Sequence, residues 1–254
     1  MRVHKDQVGR TEQCVYLPEE RSKMHYRSIE GCTAEAYQAM LERGWRRFGS
    51  VFFRPVCAGC RECRSLRIPV ATFEPNRSMR RTLKRNHDLE VELGRPALSH
   101  DHLELYRRYH ADMAGRRGWH ERPNIDPFDY YYTFVEGAGS YGHQLTYHHE
   151  GRLLGVALVD ILPDAVSAVY CYYDPAERQR SIGVFSVLQH LELARRHGCP
   201  FVYLGYWIEP NASMRYKARY RPHQVLTGRP EADEEPEWNP DMAGVRSPPS
   251  EEVG

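Results

Sequence analysis

The chain has 254 residues, 41% of them hydrophobic and 27% charged, enough apolar material for one large domain or two modest ones. No apolar run approaches the roughly 18 residues of a membrane span, and the opening MRVHKDQVGRTEQC has no signal-peptide core, so a cytoplasmic protein with no membrane partner is expected. The net charge of +1 conceals an asymmetry: residues 228–254 hold eight acids and two bases, leaving a surplus of about seven positive charges on the rest, a field that suits an anionic partner.

The first regular element expected is a helix over residues 33–47, with Thr33 as cap and Tyr37, Met40 and Leu41 at helical spacing. SVFFRP reads as a short strand. VCAGCRECRSLR follows, with Cys57, Cys60 and Cys63 at three-residue spacing among arginines. In a reducing compartment such a cluster reads as metal ligands or a redox site before disulfides, with free thiols in a packed loop as the plain alternative. A bacterial-ferredoxin pattern would place its fourth cysteine at Arg67, so Cys14 is the natural fourth ligand, for zinc or an iron–sulfur cluster. SLRIPVATF alternates Leu66, Ile68 and Val70, as a half-buried strand does.

EPNRSMRRTLKRN places Arg77, Arg80, Arg81, Lys84 and Arg85 within nine positions and no acid among them. Capped at Asn76 or Ser78, a helix here puts Arg77, Arg81 and Lys84 on one face, either solvated or set against an anion. LSHDHLELYRRYHADM and DPFDYYYTF are two further helices, the second capped by Asp126 with Pro127 at its first position. HQLTYHH, RLLGVALVDIL and AVSAVYCYYDP then form an antiparallel meander with turns at Glu150-Gly151 and Pro163-Asp164. A helix from about residue 182 to His197 carries Val184, Val187, Leu188, Leu191 and Ala194 on one face and stops at Gly198, and FVYLGYWI is a final strand. His190 and His197 are expected on the exposed side of that helix and His148 and His149 at a hairpin end, all as ordinary surface. Meander, helix, then strand is an α+β layout. Residues 228–254, rich in Pro, Glu and Ser, are expected to stay disordered.

At DPAERQRSIGVFSVL a strand end meets a helix start. The free N–H groups of the first helical turn make a cradle for a phosphate, and Gly183 permits close approach of a ligand to the backbone. A meander followed by [Gln/Arg]-x-x-Gly-x-[Gly/Ala] resembles the Gcn5-related N-acyltransferase fold; Arg180 and Gly183 match, and Phe185 departs at the last small position. A narrower likeness lies in CVYLP, FFRPVCAGCRECRSLRIPV, FEPNRSMRRTLKRN, GVALVDIL, AVYCYYDP, RSIGVFSV and YLGYWIEPNASMRYKARYRP, in that order. Together they resemble the bacterial aminoacyl-tRNA–protein transferases of the aspartate/glutamate leucyltransferase kind, with small departures at Asn76 and Arg215.

The resemblance implies transfer of leucine from leucyl-tRNA to the α-amino group of proteins beginning with Asp or Glu, which marks them for degradation. The alternatives are an acyl-coenzyme A N-acyltransferase, an arginyl-tRNA–protein transferase, or a metal-bearing RNA-binding module that transfers nothing. It also implies an α+β fold with a cysteine-containing region over 1–75, an acyltransferase-like domain over 76–227 and the tail over 228–254. An aminoacyl ester is already activated, so transfer requires no cofactor. Arg54, Arg77 or Arg81 is a candidate fork for the acceptor's carboxylate, with Lys84 as a further substrate-binding candidate. Tyr170, Tyr173, Tyr203, Tyr206 and Trp207 are candidate stacking surfaces for the terminal adenosine. Arg180, Ser181 and Gly183 line the phosphate cradle. Tyr216 and Lys217 are candidates for phosphate contact or oxyanion stabilisation, and Asp174 for orienting or deprotonating the amine. Tyr206 joins Asp174 and Lys217 as a catalytic candidate.

Overall fold

The computed structural model describes residues 1–119 and 125–240. In chain order the first strands are β1 (Arg2–Val8), the short pair β2 (Glu12–Gln13) and β3 (Arg21–Ser22), and β4 (Met24–Glu30); α1 (Ala34–Glu42), β5 (Arg46–Phe48) and β6 (Val51–Pro55) follow. A four-stranded antiparallel sheet runs β1-β4-β6-β5. Thr33 caps α1 as expected, its hydroxyl accepting the Ala36 N–H at 3.2 Å. The helix ends well before residue 47, because Gly44 turns into the left-handed region at φ 83° and the following residues pair as β5.

The larger sheet is built from β7 (Arg64–Pro69), β8 (Glu90–Gly94), β9 (Gly142–His149), β10 (Arg152–Leu162), β11 (Ala165–Tyr173), β12 (Phe201–Trp207), β13 (Gln224–Leu226) and β14 (Trp238–Pro240), in the order β14-β13-β7-β12-β11-β10-β9-β8. The helices are α2 (Arg77–Arg85), α3 (His100–Arg117), α4 (Pro127–Tyr130) and α5 (Ile182–His197). The expected meander is β9-β10-β11, and α5 crosses over to β12, which lies parallel to β11. This is the α+β order the resemblance implied. Among the described residues no helix is long and apolar enough to cross a membrane.

Two boundaries differ from expectation. β7 belongs by sequence to the N-terminal region, yet it sits inside the large sheet between β13 and β12, so the surfaces on either side of residue 75 are interleaved. The expected disordered tail is in part ordered. Arg229 donates to the Cys57 and Cys60 carbonyls at 2.7 and 2.8 Å, Arg43 to the Glu231 and Glu234 carbonyls at 3.0 Å each, and Trp238 packs edge-on to Tyr203 at 5.3 Å. Composition alone missed that backbone carbonyls and one tryptophan suffice as anchors. Residues 241–254 lie outside the described residues.

The helix α5 is covered by the sheet on one side and α2 on another, and His190 is buried rather than on the surface. Neither of its ring nitrogens finds a hydrogen-bond partner among the described residues, and burial pushes its pKa down to about 4. The unfolded value is about 6.5, so the neutral ring contributes full stability above that pH, and the contribution is lost as pH falls towards 4. The free energy of unfolding should drop over that interval by up to about 3 kcal/mol. A urea titration series of wild type and His190→Leu checks this: the variant should lack that share of the slope, and parallel curves would refute it.

Candidate functional site

The pairing of β11 with β12 stops after three registers, Ala165–Phe201, Val166–Val202 and Ser167–Tyr203. Beyond them the ends of the two strands are no longer joined, and side chains from the N-terminal sheet enter the gap. Arg46 leads: its Nη1 donates to Ser167 Oγ at 3.4 Å, and its guanidinium lies against Gly205, where an added Cβ would stand 2.9 Å from Nη2. Gly205, at φ 81°, is required here by its backbone conformation. Arg46 Nη2 is buried and has no partner among the described residues. Its neighbour Arg47 points to the other face and grips buried Asp160 of β10.

Lys217, on the 3-10 turn Arg215–Arg219, reaches the same gap. It is buried, and its ammonium donates to the Tyr206 carbonyl at 2.6 Å. Burial, with Arg46 adding, pushes its pKa down to about 7; Cys63 opposes the shift. Lys217 is therefore poised between its two protonation states near neutrality.

Half-buried aromatic rings line the β11 side. Tyr170 stacks on Phe134 at 5.4 Å, its hydroxyl lies 3.1 Å from His110 Nε2, and Phe48 of β5 meets it edge-on. Tyr173 packs on Tyr109 at 5.2 Å. Burial lifts the Tyr109 hydroxyl above its ordinary value, with Cys171, Tyr173 and Tyr216 adding to it. An added Cβ at Gly183 would meet only the Tyr173 ring, at 3.6 Å, so packing does not demand a glycine there. Ser181 takes φ 55° and makes no side-chain cap. Phe185 turns into the core against Tyr147, so its departure from a small residue leaves the outer surface of the turn open.

The structure thus sets Tyr173 against Gly183 and Tyr109, and Lys217 against the Tyr206 carbonyl of β12. It removes several other candidates from substrate contact. Tyr203 is core, bonded by Arg67 at 3.0 Å, and Trp207 is core under Arg64. The Tyr206 hydroxyl donates to the Gly44 and Phe53 carbonyls at 2.9 and 3.2 Å, a tie between the two sheets rather than a catalytic group. Asp174 caps the turn Pro175–Arg180 through the Ala176 N–H and is held by Arg152 at 3.1 Å and Arg108 at 3.3 Å, so its carboxylate is engaged within the fold. Arg180 is engaged by Asp88 at 2.8 and 3.0 Å and by Glu177 at 3.1 Å, and holds the Asp88 carboxyl down to about 2. It braces the loop and is not free to grip a phosphate.

Arg54 is on the far face of the N-terminal sheet from this gap. With Arg27, Arg43 and Trp45 it lines a cavity of about 110 Å³ partly closed by the chain's own Pro230, Glu231 and Ala232. Arg54 donates to the Pro230 carbonyl at 2.9 Å and pairs with Glu231 at 2.5 Å. The guanidinium expected to meet an acceptor's carboxylate is thus engaged by an internal one. Arg77, Arg81 and Lys84 are exposed on α2, whose cap is Asn76, accepting the Met79 N–H at 3.0 Å.

The cysteines form a neighbourhood. Burial, with Cys14, Cys57 and Cys60 adding, raises the Cys63 thiol to about 12. Cys57 Sγ accepts the Lys23 N–H at 3.4 Å. Among the described residues, however, no three Cys, His, Asp or Glu side chains converge in a geometry that holds a metal ion. Cys14, Cys57, Cys60 and Cys63 are thus of the right chemistry and adjacent, yet not closed into a ligand set, and no step of the chemistry below is routed through a metal. The cysteine loop lies close to the gap, since Ser65, two residues after Cys63, pairs with Tyr206, whose carbonyl accepts from Lys217.

Arg46 was missed because a helix was expected through it. The signal was Gly44, a helix stop, ahead of Trp-Arg-Arg-Phe.

A family model described as Arginine-tRNA-protein transferase, C terminus, matches residues 101–227, and one described as Arginine-tRNA-protein transferase, N terminus, matches residues 12–81. The aspartate/glutamate leucyltransferase of Campylobacter jejuni is 40% identical over 220 residues, 87% of this chain and 92% of that protein. The proteins of the same name from Helicobacter hepaticus and Pseudomonas putida are 37% and 41% identical over 225 and 218 residues, covering 89% and 84% of this chain and 93% and 89% of theirs. Among solved structures, FemX is similar at TM-score 0.43 and 11% identity, over 72% of this chain and 63% of that one. L-PGS from Bacillus licheniformis is similar at TM-score 0.38 and 13% identity, over 57% and 46%.

Proposed function

The chain belongs to the arginine-tRNA-protein transferase family, and on that premise we propose that it moves leucine from leucyl-tRNA to the α-amino group of proteins beginning with Asp or Glu, marking them for degradation. The observation that carries this reading is identity of about 40% to aspartate/glutamate leucyltransferases over 87% of this chain and 92% of the relative. A cytoplasmic setting, where charged tRNA is available, goes with it.

The reaction joins the acceptor's amine nitrogen to the leucyl carbonyl carbon and breaks the ester bond to the tRNA ribose, whose oxygen leaves as a hydroxyl. The amine loses its proton on the way. Free α-amines have a reference pKa of about 7.7–8.0, so a usable fraction is neutral near pH 7. The enzyme's task is then to position amine against ester, stabilise the oxyanion and take the proton. Lys217, buried beside the gap with its pKa near neutrality, is the candidate proton acceptor. Tyr170 and Tyr173 offer half-buried rings for the terminal adenosine. Arg46, with an unpartnered nitrogen in the gap, is better placed than Arg54 to receive the acceptor's carboxylate. Zinc or an iron–sulfur centre on Cys14, Cys57, Cys60 and Cys63 is a separate proposal, structural in role, supported by the gathering of those thiols around Cys63.

The test is incubation with radiolabelled leucyl-tRNA, and in parallel arginyl-tRNA, with peptides beginning Asp, Glu or Ala. Leucine should appear on the acidic peptides alone. Label from arginyl-tRNA only, or acetyl transfer from acetyl-coenzyme A instead, would overturn the reading.

A further inference from the structure

The nine residues of α2 include five cations and no acid. Met79 and Thr82 are buried and Leu83 packs on the core, which fixes the opposite face outward. That outer face carries Arg77, Arg81 and Lys84 at spacings of four and three, all exposed. Among the described residues none of the three makes an ion pair. Cations close by behave differently: Arg180 is paired with Asp88 and Glu177, Arg178 with Asp112, and Arg152 with Asp174 and Glu177. The contrast lies in placement, because each of those arginines has an acid to meet and the outer face of α2 has none.

The helix also leads to the candidate site. Its last turn is tied to the segment that enters α5: Arg85 donates to the Gln179 carbonyl, and buried Asn86 donates to the Arg180 carbonyl at 2.8 Å. From Arg77 to Lys84 the face runs about 10 Å at 1.5 Å per residue, the length of on the order of three phosphates along one strand.

We propose that the Arg77, Arg81 and Lys84 face of α2 is a track for the phosphate backbone of the donor tRNA's acceptor stem, leading its charged 3′ end to the start of α5. This rests on the donor named above. Three unpaired cations in a row match an extended polyanion. A single acidic side chain at a protein N-terminus would use one of them. Among the described residues no internal carboxylate has to be displaced, so the binding free energy is not spent on breaking pairs there. Phosphate contacts position without reading bases, so the track holds the stem and leaves recognition of the amino acid to the gap.

The triple variant Arg77→Gln, Arg81→Gln, Lys84→Gln tests it, since all three side chains are exposed. Binding of uncharged tRNA, measured by filter retention between 50 and 200 mM salt, should weaken at least tenfold at the low end, and the log–log salt slope should become shallower by about two. In transfer assays full-length leucyl-tRNA should lose its advantage over a leucyl ester of the 3′-terminal trinucleotide. Wild-type tRNA affinity and salt slope in the variant would overturn the proposal, as would a loss confined to KM for the acidic peptide. Because the binding measurement needs no turnover, a wild-type protein that binds tRNA along α2 but transfers no leucine would refute the functional reading and leave the track standing.

Discussion

Replacing Arg47 with methionine should destabilise the fold by about 3–5 kcal/mol, the usual consequence of stranding one partner of a buried ion pair. Asp160 is wholly buried near the C-terminal end of β10, and Arg47 meets both of its oxygens, one of them through Nε at 3.0 Å. The same guanidinium donates to the Gly49 carbonyl at 3.0 Å and lies 4.9 Å from the Tyr141 ring. It thus joins β5, the loop after it and the large sheet. Without it the Asp160 carboxylate has no compensating charge in a low-dielectric interior. For a chain of this size such a loss corresponds to a fall in melting temperature of roughly 10 °C. The double variant Arg47→Met, Asp160→Leu should regain most of it, because an apolar pair leaves no charge stranded. Calorimetry on the three proteins decides the matter. A single variant as stable as wild type would show that the pair does not hold the sheets together.

Lys217→Met should reduce the rate of transfer by a factor of about 10² to 10⁴, the usual contribution of a positioned proton acceptor. Methionine keeps much of the volume but leaves the Tyr206 carbonyl without its donor, a penalty of about 1–3 kcal/mol that a melting curve would register separately. Lys217→Arg is the sharper control, since it retains a donor and a charge but does not give up its proton. The sign of the pH effect follows from the pKa near 7. Below that value the amine is protonated and unable to accept, so wild-type turnover at saturating substrates should rise with pH through about 7. Both variants should lack that limb. A Lys217→Arg protein with wild-type turnover and an unaltered limb would remove Lys217 from proton transfer.

Much of the fold was readable because local signals and tertiary outcome agree. The bounds of α5 follow from its apolar spacing and Gly198, and the meander follows from three alternating runs with turn residues between them. The errors share a cause. Tyr203, Tyr206 and Trp207 were taken for a surface lining, but β12 is an interior strand covered on both faces, where alternation marks no exposed side. His190 was assigned to solvent because one face of α5 was already apolar, and the covering of a second face by α2 is a tertiary fact. Arg54 was legible as a carboxylate fork, and only the chain path shows that its partner is Glu231. Arg46 and Arg47 were hidden inside an overlong helix, although Gly44 was there to end it.

The position of β7 also bears on how such a protein can be inherited. Two family models divide the chain between residues 81 and 101, as though two modules had been fused. Yet β7, from the first, is hydrogen-bonded between β12 and β13, both from the second. A recombination event that separated them would leave each product with an open edge in mid-sheet. The two matched regions therefore share one hydrogen-bonded sheet, and the second needs a strand of the first to be continuous.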